Sequence, residues 1–210
     1  MSQTGLRERK KQETRAAIAD VATRLFITQG FEKVSIAQVA AEAGVAKMTV
    51  TNYFARKEDL VFDLADHIIS QPVAALAARP PGQSALDALR DAYFTAFAAS
   101  DPTVVYTTEA FARLIENSPT LLAREGEIHH QREAALAIAL AAETRTDPDD
   151  ITPRIAAAAL AGALRTLNLD VRRRILAGHT PDEIRSGLRA AATTAFALLT
   201  PSFGGHAPGP

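Results

Sequence analysis

Residues 35–64 read SIAQVAAEAGVAKMTVTNYFARKEDLVFDL, and this stretch decides the fold. It opens with Ser35 and carries Gln38 three residues later, which is the spacing of a capping box at a helix N-terminus. The helix that begins there stops at Gly44, since glycine readily adopts the left-handed conformation that ends a helix. A second short helix, over about residues 47–54, follows after a few residues. The pattern therefore predicts two helices joined by a tight turn.

Three positions in this stretch have the spacing of a helix-turn-helix. Ala40 is small, so two helices can cross closely there, and Gly44 permits the turn four residues later. Val50 then packs back between the two helices. This frame lets the second helix stand out from the domain, as a helix must in order to enter the major groove of DNA. We predict a DNA-binding helix-turn-helix between Ser35 and Phe54.

Residues 11–64 resemble the DNA-binding domain of the tetracycline-repressor (TetR) family. The positions that match the family pattern are Ala40, Ala43, Gly44, Val45, Thr49, Tyr53, Phe54, Lys57, Glu58 and Leu60. The positions that depart from it are Ser35 in place of the commoner Thr, Ala46 in place of a capping Ser, Met48 in place of Gly and Thr51 in place of Tyr. The departures leave the scaffold prediction intact, but they leave open which operator sequence is read.

Seven residues are predicted to contact DNA: the phosphate ligands by this resemblance, and the base-edge candidates because they lie on the exposed side of the second helix. The phosphate ligands are Ser35, Tyr53 and Lys57, and the base-edge candidates are Lys47, Met48, Thr49 and Asn52. Lysine can donate to guanine, asparagine can pair with adenine, and the methionine side chain and the threonine methyl can meet the methyl group of thymine. For Asn52, simple filling of the surface is an equal alternative, and Thr51 either contacts phosphate or packs.

Apolar residues recur with helical spacing nearly throughout the chain, so we expect an all-α fold of about nine helices. The predicted segments are a basic flexible arm (1–10), a three-helix helix-turn-helix domain (11–58), a larger helical ligand-binding and dimerisation domain implied by the resemblance (59–200), and a disordered tail rich in Gly and Pro (201–210). The first helix is predicted over residues 11–29. The arm either reaches an adjacent DNA groove or stays solvated.

Charge is unevenly distributed along the chain. Residues 1–60 carry 10 Lys/Arg and 7 Asp/Glu, whereas residues 61–210 carry 13 and 17, which together give the net charge of −1. A basic DNA-facing head on an acidic body produces this asymmetry, although ordinary variation of surface charge does so too. Cysteine is absent, which excludes disulfides and cysteine nucleophiles. With neither a signal peptide nor a long apolar run, we expect a cytoplasmic protein that does not contact a membrane.

Two apolar stripes near the C-terminus are candidates for a subunit interface. They consist of Leu160, Leu164, Leu167 and Val171, and of Ile184, Leu188, Ala191, Ala195 and Leu198. Two such helices from each subunit would form a four-helix interface, and the resemblance favours this homodimer. The alternative is a core within one chain.

A ligand cavity is also implied by the resemblance, with polar groups on otherwise apolar helices to orient the ligand. The ligand-binding candidates are His67, Phe94, Phe97, Phe111, His129 and Arg165, with Arg113, Glu116, His130 and Asn168 as further polar groups. Clustered aromatic residues are more often core, and each polar residue alone is more often a surface group.

The resemblance implies a bacterial, homodimeric repressor that binds a palindromic operator in double-stranded DNA and is released by an unknown small-molecule effector. An activator is less usual. We find no Gly-rich phosphate loop, metal-ligand cluster or nucleophile with a base, and so we predict no enzyme activity, catalytic residue, metal or cofactor. The alternative is an architectural protein that binds DNA without sequence preference, or a helical scaffold, with no effector.

Overall fold

The computed structural model describes residues 3–104, 108–147 and 149–203. Among these residues the helices are α1 (Gln3–Gln29), α2 (Ile36–Glu42), α3 (Lys47–Tyr53), α4 (Ala65–Ala78), α5 (Ala85–Ala98), α6 (Glu109–Glu116), α7 (Pro119–Thr144), α8 (Ile151–Leu176) and α9 (Pro181–Phe203), with one 3-10 turn over Glu58–Leu60. The described residues contain no strand. The predicted all-α fold of about nine helices is confirmed.

Over the described residues, the chain divides into two compact units. The head unit comprises Met1–Ala65 and Ala110–Glu125, and the body unit comprises Asp66–Glu109 and Gly126–Pro210. Residues 59–65 and 110–125, which the sequence assigned to the larger domain, therefore lie in the head unit. None of the helices in the described ranges is long and apolar enough to cross a membrane.

Helix α1 begins at Gln3 rather than at Lys11, so residues predicted to form a flexible arm continue the helix. Residues 3–10 contain no proline, and six of the eight are good helix formers. An ion pair one turn apart joins Arg9 Nε to Glu13 Oε1 at 3.3 Å on the exposed surface. Residues 1 and 2 of the predicted arm lie outside the described residues.

The buried face of α1 forms the core of the head unit. Ile18, Ala22 and Phe26 recur at four-residue intervals and are fully buried. The helix ends at Gly30, whose φ of 91° lies in the left-handed region that favours glycine. The ring of Phe31 then returns to lie edge-on to Phe26, with the ring centroids 5.0 Å apart. The predicted end of the first helix is confirmed.

Helix α2 begins with the predicted capping box. The Ser35 hydroxyl accepts a hydrogen bond from the Gln38 N–H at 3.2 Å, and the Gln38 side chain accepts one from the Ser35 N–H at 2.7 Å. Val39 and Ala40 are buried, and the chain turns at Gly44, whose φ is 65°. The sequence stretch that decides the fold therefore forms the local structure it predicts.

Residues 110–125 are held in the head unit by polar side chains. Arg124 donates from Nε and Nη2 to Oδ1 of Asp59, at 2.9 and 2.8 Å, and both side chains are largely buried. Ser118 and Thr120 donate to Oε1 of Glu32, at 3.3 and 3.2 Å. The start of α7 is therefore tied to the segments that flank α2 and α3.

In the body unit, the stripe predicted on α8 lies inside the protomer's own core. Leu160, Leu164, Leu167 and Val171 are all buried within one chain. On α9 the buried stripe is Leu188, Ala192 and Phe196, at four-residue spacing, whereas Leu198 is 74% exposed. For α8 the alternative left open by the sequence, an intramolecular core, is therefore the observed one. The reason is that α8 and α9 of the same chain pack against each other.

Helix α9 extends past the predicted start of the tail. Pro201 lies inside the helix, which ends at Phe203. Pro201 has no N–H to donate to the carbonyl of Ala197, so the last turn of α9 lacks this one hydrogen bond. Residues 204–210 of the predicted disordered tail lie outside the described residues.

We predict that Gly44→Ala and Gly126→Ala change stability in opposite directions. A Cβ at either position would meet no atom within 4 Å, so steric clash plays no part. At Gly44 the left-handed conformation should cost about 1–2 kcal/mol in the free energy of unfolding. Gly126 lies within α7, where alanine should add up to about 1 kcal/mol. Urea unfolding followed by circular dichroism measures both values, and equal effects of the two substitutions would contradict the assigned turn.

Candidate nucleic-acid interface and ligand cavity

Helix α3 presents an exposed face and a buried face. Lys47, Met48 and Asn52 are exposed, Met48 at 70%, and Thr49 is half-buried beside them. Val50 is fully buried on the opposite face. The four base-edge candidates therefore share a solvent-facing surface of α3.

Helix α3 is short and has no side-chain cap. It has seven residues, and its N-cap, Ala46, offers no side-chain hydrogen bond, as the sequence predicted. The Thr51 hydroxyl donates to the carbonyl of Met48 at 3.1 Å, so it is engaged within the helix itself. Ala46 therefore provides no side-chain acceptor for the first backbone amides of α3.

Arg15 of α1 fixes the C-terminal end of α3. Its Nη1 donates to the carbonyl of Tyr53 at 2.6 Å, and its Nη2 donates to the carbonyl of Asp63 at 3.2 Å. Its guanidinium also lies 4.4 Å from the centre of the buried Phe54 ring. Sequence reasoning missed this positioning role. The available signal was the place of Arg15 one turn before Ile18, at the end of the apolar stripe of α1.

Lys57 is half-buried and is the N-cap residue of the 3-10 turn. Its Nζ donates to the carbonyl of Phe31 and lies 4.2 Å from the centre of the Phe31 ring. Burial lowers the pKa of Lys57, while the nearby carboxylates of Glu32 and Glu58 raise it. The ammonium group therefore already has a structural contact within the head unit.

Ser35 and Tyr53 lie at the two ends of the helix-turn-helix. Ser35 is exposed, and its hydroxyl donates to Gln38 Oε1 at 3.0 Å while it caps α2. Tyr53 is half-buried at the end of α3. Both side chains carry hydroxyl groups, which can donate to phosphate oxygens. The seven DNA-contact assignments stay predictions, because the positions of the side chains alone do not test contacts with DNA.

A small cavity lies within the body unit. Its volume is about 30 Å³, and the described residues that line it include Ile68, Pro72, Leu89, Val104 and Leu164, with the polar residues Gln71, Tyr93, Thr103, Arg132 and Asn168. The lining is therefore an apolar wall with a few polar groups, which is the composition of sites that bind small molecules. The volume is enough for one or two water molecules.

Several buried polar atoms of the body unit have no hydrogen-bond partner among the described residues. They are the Tyr93 hydroxyl, both ring nitrogens of His129 and Nε of Arg132. Burial lowers the pKa of His129 to about 4, and the positive charges of Arg132, Arg165 and Arg172 act in the same direction. His129 is therefore a neutral ring at physiological pH. Buried groups without partners are rare, and each calls for an explanation.

The six ligand-binding candidates from the sequence are dispersed. His67 is exposed and lies 3.8 Å from Asp101, Arg165 is exposed on α8, and Phe111 lies in the head unit. Phe94 and Phe97 pack with other side chains of the body unit: Phe94 against Phe196, and Phe97 under the guanidinium of Arg185. None of the six is among the described residues that line the cavity, which is formed by other side chains.

Arg132 is the charged residue of the cavity, and sequence reasoning missed it. It lies between Ile128 and Leu136 at four-residue spacing on α7, and both of these neighbours are fully buried. A charge in the middle of an apolar stripe is the signal that could have found it, because such a side chain must lie inside the fold. Of the other polar lining residues, Asn168 was a predicted polar candidate.

Two family models match this chain. The model described as "Bacterial regulatory proteins, tetR family" matches residues 18–64, which cover the last 12 of the 27 residues of α1 and all of the helix-turn-helix. The model described as "MftR C-terminal domain" matches residues 83–201, which is more than half of the chain. The first match covers the stretch that carries the predicted DNA contacts, and the second covers most of the body unit.

Individual proteins agree with these matches. The HTH-type transcriptional regulator TcmR of Streptomyces glaucescens is 31% identical over 156 residues, which cover 71% of this chain and 69% of TcmR. Among solved structures, the SmeT–triclosan complex has a TM-score of 0.57 at 16% identity and covers 94% of this chain and 96% of its own. GusR of Salmonella enterica has a TM-score of 0.52 at 17% identity, and the match covers 90% of this chain and 94% of GusR. The two structures show the same fold, and with the family models and TcmR they establish that this chain belongs to the TetR family of DNA-binding transcriptional regulators.

Proposed function

We propose that this regulator is a homodimeric repressor that binds a palindromic operator and is released from it by a small-molecule effector. The observation that carries the proposal is the exposed face of α3, where Lys47, Met48 and Asn52 have their side chains in solvent. In a helix-turn-helix, such a face enters the major groove and reads base edges. In a symmetric dimer, two such helices reach successive major grooves, about 34–36 Å apart or somewhat more.

Phosphate contacts supply most of the affinity in this proposal, and base contacts supply the sequence preference. Ser35, Tyr53 and Lys57 are the proposed phosphate ligands. Ser35 donates its hydroxyl within the capping box, and on DNA this hydrogen turns to a phosphate oxygen while the hydroxyl oxygen still caps α2. For Lys57, the ammonium exchanges its contact with the Phe31 carbonyl for a phosphate.

A homodimer is supported by the outer faces of α8 and α9. Ile155, Leu169 and Leu198 are exposed at 60%, 38% and 74%. They lie on faces that also carry small residues, among them Ala158, Gly162, Ala190 and Thr194, together with the exposed Arg165 on α8. Small residues allow two helices to approach closely, and a flat face of this kind on two adjacent helices suits a four-helix interface. The proposed interface is thus the face opposite to the buried leucine stripe of α8.

Effector release is supported by the cavity in the body unit, with its apolar wall and its unpartnered polar atoms. The SmeT–triclosan complex is a protein of this fold with a small molecule bound. An effector that binds better to the form unable to hold the operator shifts the population away from DNA.

We predict that Thr49→Ala changes which sequence is preferred. Loss of the threonine methyl at a base edge should weaken binding to the favoured operator by about 1 kcal/mol and leave binding to random DNA unchanged. Fluorescence anisotropy with both DNAs measures this difference. Thr28→Ala is the matched control, because Thr28 lies on the exposed surface of α1 and its hydroxyl bonds only to carbonyls of that helix. Equal losses on operator and random DNA would remove Thr49 from the reading face.

Lys57→Met should weaken binding to all DNA sequences alike. The slope of log affinity against log salt should fall by about one for each phosphate that the variant no longer neutralises. Arg24→Met is the control, since Arg24 is an exposed cation elsewhere on α1. Thermal unfolding of Lys57→Met reports separately how much the hydrogen bond to the Phe31 carbonyl stabilises the head unit. An unchanged salt slope would show that Lys57 acts only inside the head unit.

Leu198→Glu should convert the dimer to a monomer, because a carboxylate would be buried without a partner in the interface. Sedimentation velocity gives the mass of the particle, and affinity for the palindrome should fall as the dimer dissociates. Ile138→Glu is the matched control: Ile138 is 60% exposed and belongs to α7, which is not one of the two helices of the proposed interface. A dimeric Leu198→Glu variant would place the interface elsewhere.

A further inference from the structure

Arg132 is a buried cation without an acidic partner among the described residues. The residue is only 3% exposed. The guanidinium makes one hydrogen bond, from Nη2 to the carbonyl of Ala161 at 3.2 Å, and its Nε is buried without any partner. A charge that leaves water without a counter-charge carries a large desolvation penalty. The fold therefore maintains a costly group at this position.

The surroundings of Arg132 do not compensate its charge. Burial lowers its pKa to about 10, and the positive charge of Arg165 acts in the same direction, with no carboxylate opposing them. An acidic group that acts on this region is Asp170. Burial raises the pKa of Tyr93, and the negative charge of Asp170 raises it further. The Asp170 carboxylate accepts hydrogen bonds from Arg173 at 2.5 Å and from Arg174 at 2.6 Å, so it is already neutralised.

Two donors meet at the same cavity. Arg132 and Tyr93 both line it, and the Tyr93 hydroxyl, like Arg132 Nε, is buried without a partner. Because the pKa of Tyr93 is raised, its hydroxyl keeps its proton and can donate. A guanidinium and a phenol beside an apolar wall lack a shared acceptor, and the strongest acceptor for both is an anion.

We propose that the effector is an apolar molecule with a single carboxylate, which Arg132 and Tyr93 bind while its apolar part lies against Ile68, Leu89 and Leu164. This assignment rests on the proposed function, which makes the bound molecule an effector, and it adds the chemical class of that molecule. Arg132 is the one charged side chain among the described residues of the lining, and one positive charge matches one negative charge. A planar guanidinium also fits the geometry of a carboxylate.

The volume of the cavity adds a consequence. About 30 Å³ cannot hold an apolar acid, so binding must separate the helices that line the space. The carboxylate therefore binds a form of the body unit with a wider cavity, and it shifts the population toward that form.

The test uses the full chain and isothermal titration calorimetry with hexanoate, octanoate and decanoate. The matched neutral probes are the three corresponding amides, and octyl phosphate is the dianionic probe. We expect carboxylates to bind about tenfold to a hundredfold more tightly than their amides, since the amide oxygen still accepts a hydrogen bond from the guanidinium but lacks the negative charge that strengthens it. Octyl phosphate should bind no more tightly than octanoate.

Variants at two residues locate the effect. Arg132→Met and Arg132→Gln should each abolish the preference for carboxylate over amide, and Tyr93→Phe should reduce it. Arg154→Gln, which removes an exposed cation from α8, is the control and should keep the preference in full. If the Arg132 variants do not fold, the probe series on the unaltered chain decides by itself.

Equal binding of carboxylates and amides, tighter binding of octyl phosphate, or no binding by any of the three acids would each overturn the proposal. So would a preference that survives in folded Arg132→Met. Release of operator DNA is measured separately with the same probes. A carboxylate that binds at Arg132 but does not release DNA would contradict effector release and would still support the carboxylate site. Release of DNA by neutral compounds alone would support effector release and contradict the proposed carboxylate site.

Discussion

The burial of Val50 and Phe54 is the interaction on which the head unit depends. Helix α3 has seven residues and no side-chain cap, and a helix of that length is not stable in water by itself. Its shape is maintained by tertiary contacts: Val50 lies in the core, and Arg15 covers the buried Phe54 while it bonds to the end of the helix. Because these contacts use one face and one end of α3, the opposite face remains free to meet DNA.

The body unit shows a similar division of faces. Its buried stripes on α8 and α9 stabilise the protomer, and the exposed faces of the same helices carry small and apolar residues. Inside this core Arg132 interrupts the apolar stripe of α7. A cation at this position opposes folding unless a partner compensates it. We interpret it as part of a binding site whose partner is supplied by the ligand.

Local signals in the sequence were sufficient for the helix-turn-helix. Ser35, Gln38 and Gly44 specify helix ends through contacts within a few residues, so their roles can be predicted without the fold. The beginning of α1 could not be predicted in the same way, because residues 3–10 contain no apolar stripe that would extend the helical pattern back to Gln3.

Long-range packing accounts for the rest. Periodicity showed that Leu160 and Leu164 share a face, but it could not show whether the same chain or a second one covers that face. Arg132 has the residue type of a surface group, and only the arrangement of the surrounding helices reveals its burial. The residues that line the cavity come from four helices and a loop that are distant in sequence, so no local motif predicts it.

Selection of bound DNA from a random pool by the full-length protein, followed by sequencing, tests the central claim most directly. The proposed reading face on α3 and a symmetric dimer predict one enriched palindrome, with half-sites separated by about one helical turn or somewhat more. Enrichment of a single asymmetric site, or retention of DNA with no enriched sequence, would contradict the account of a dimeric, sequence-reading repressor.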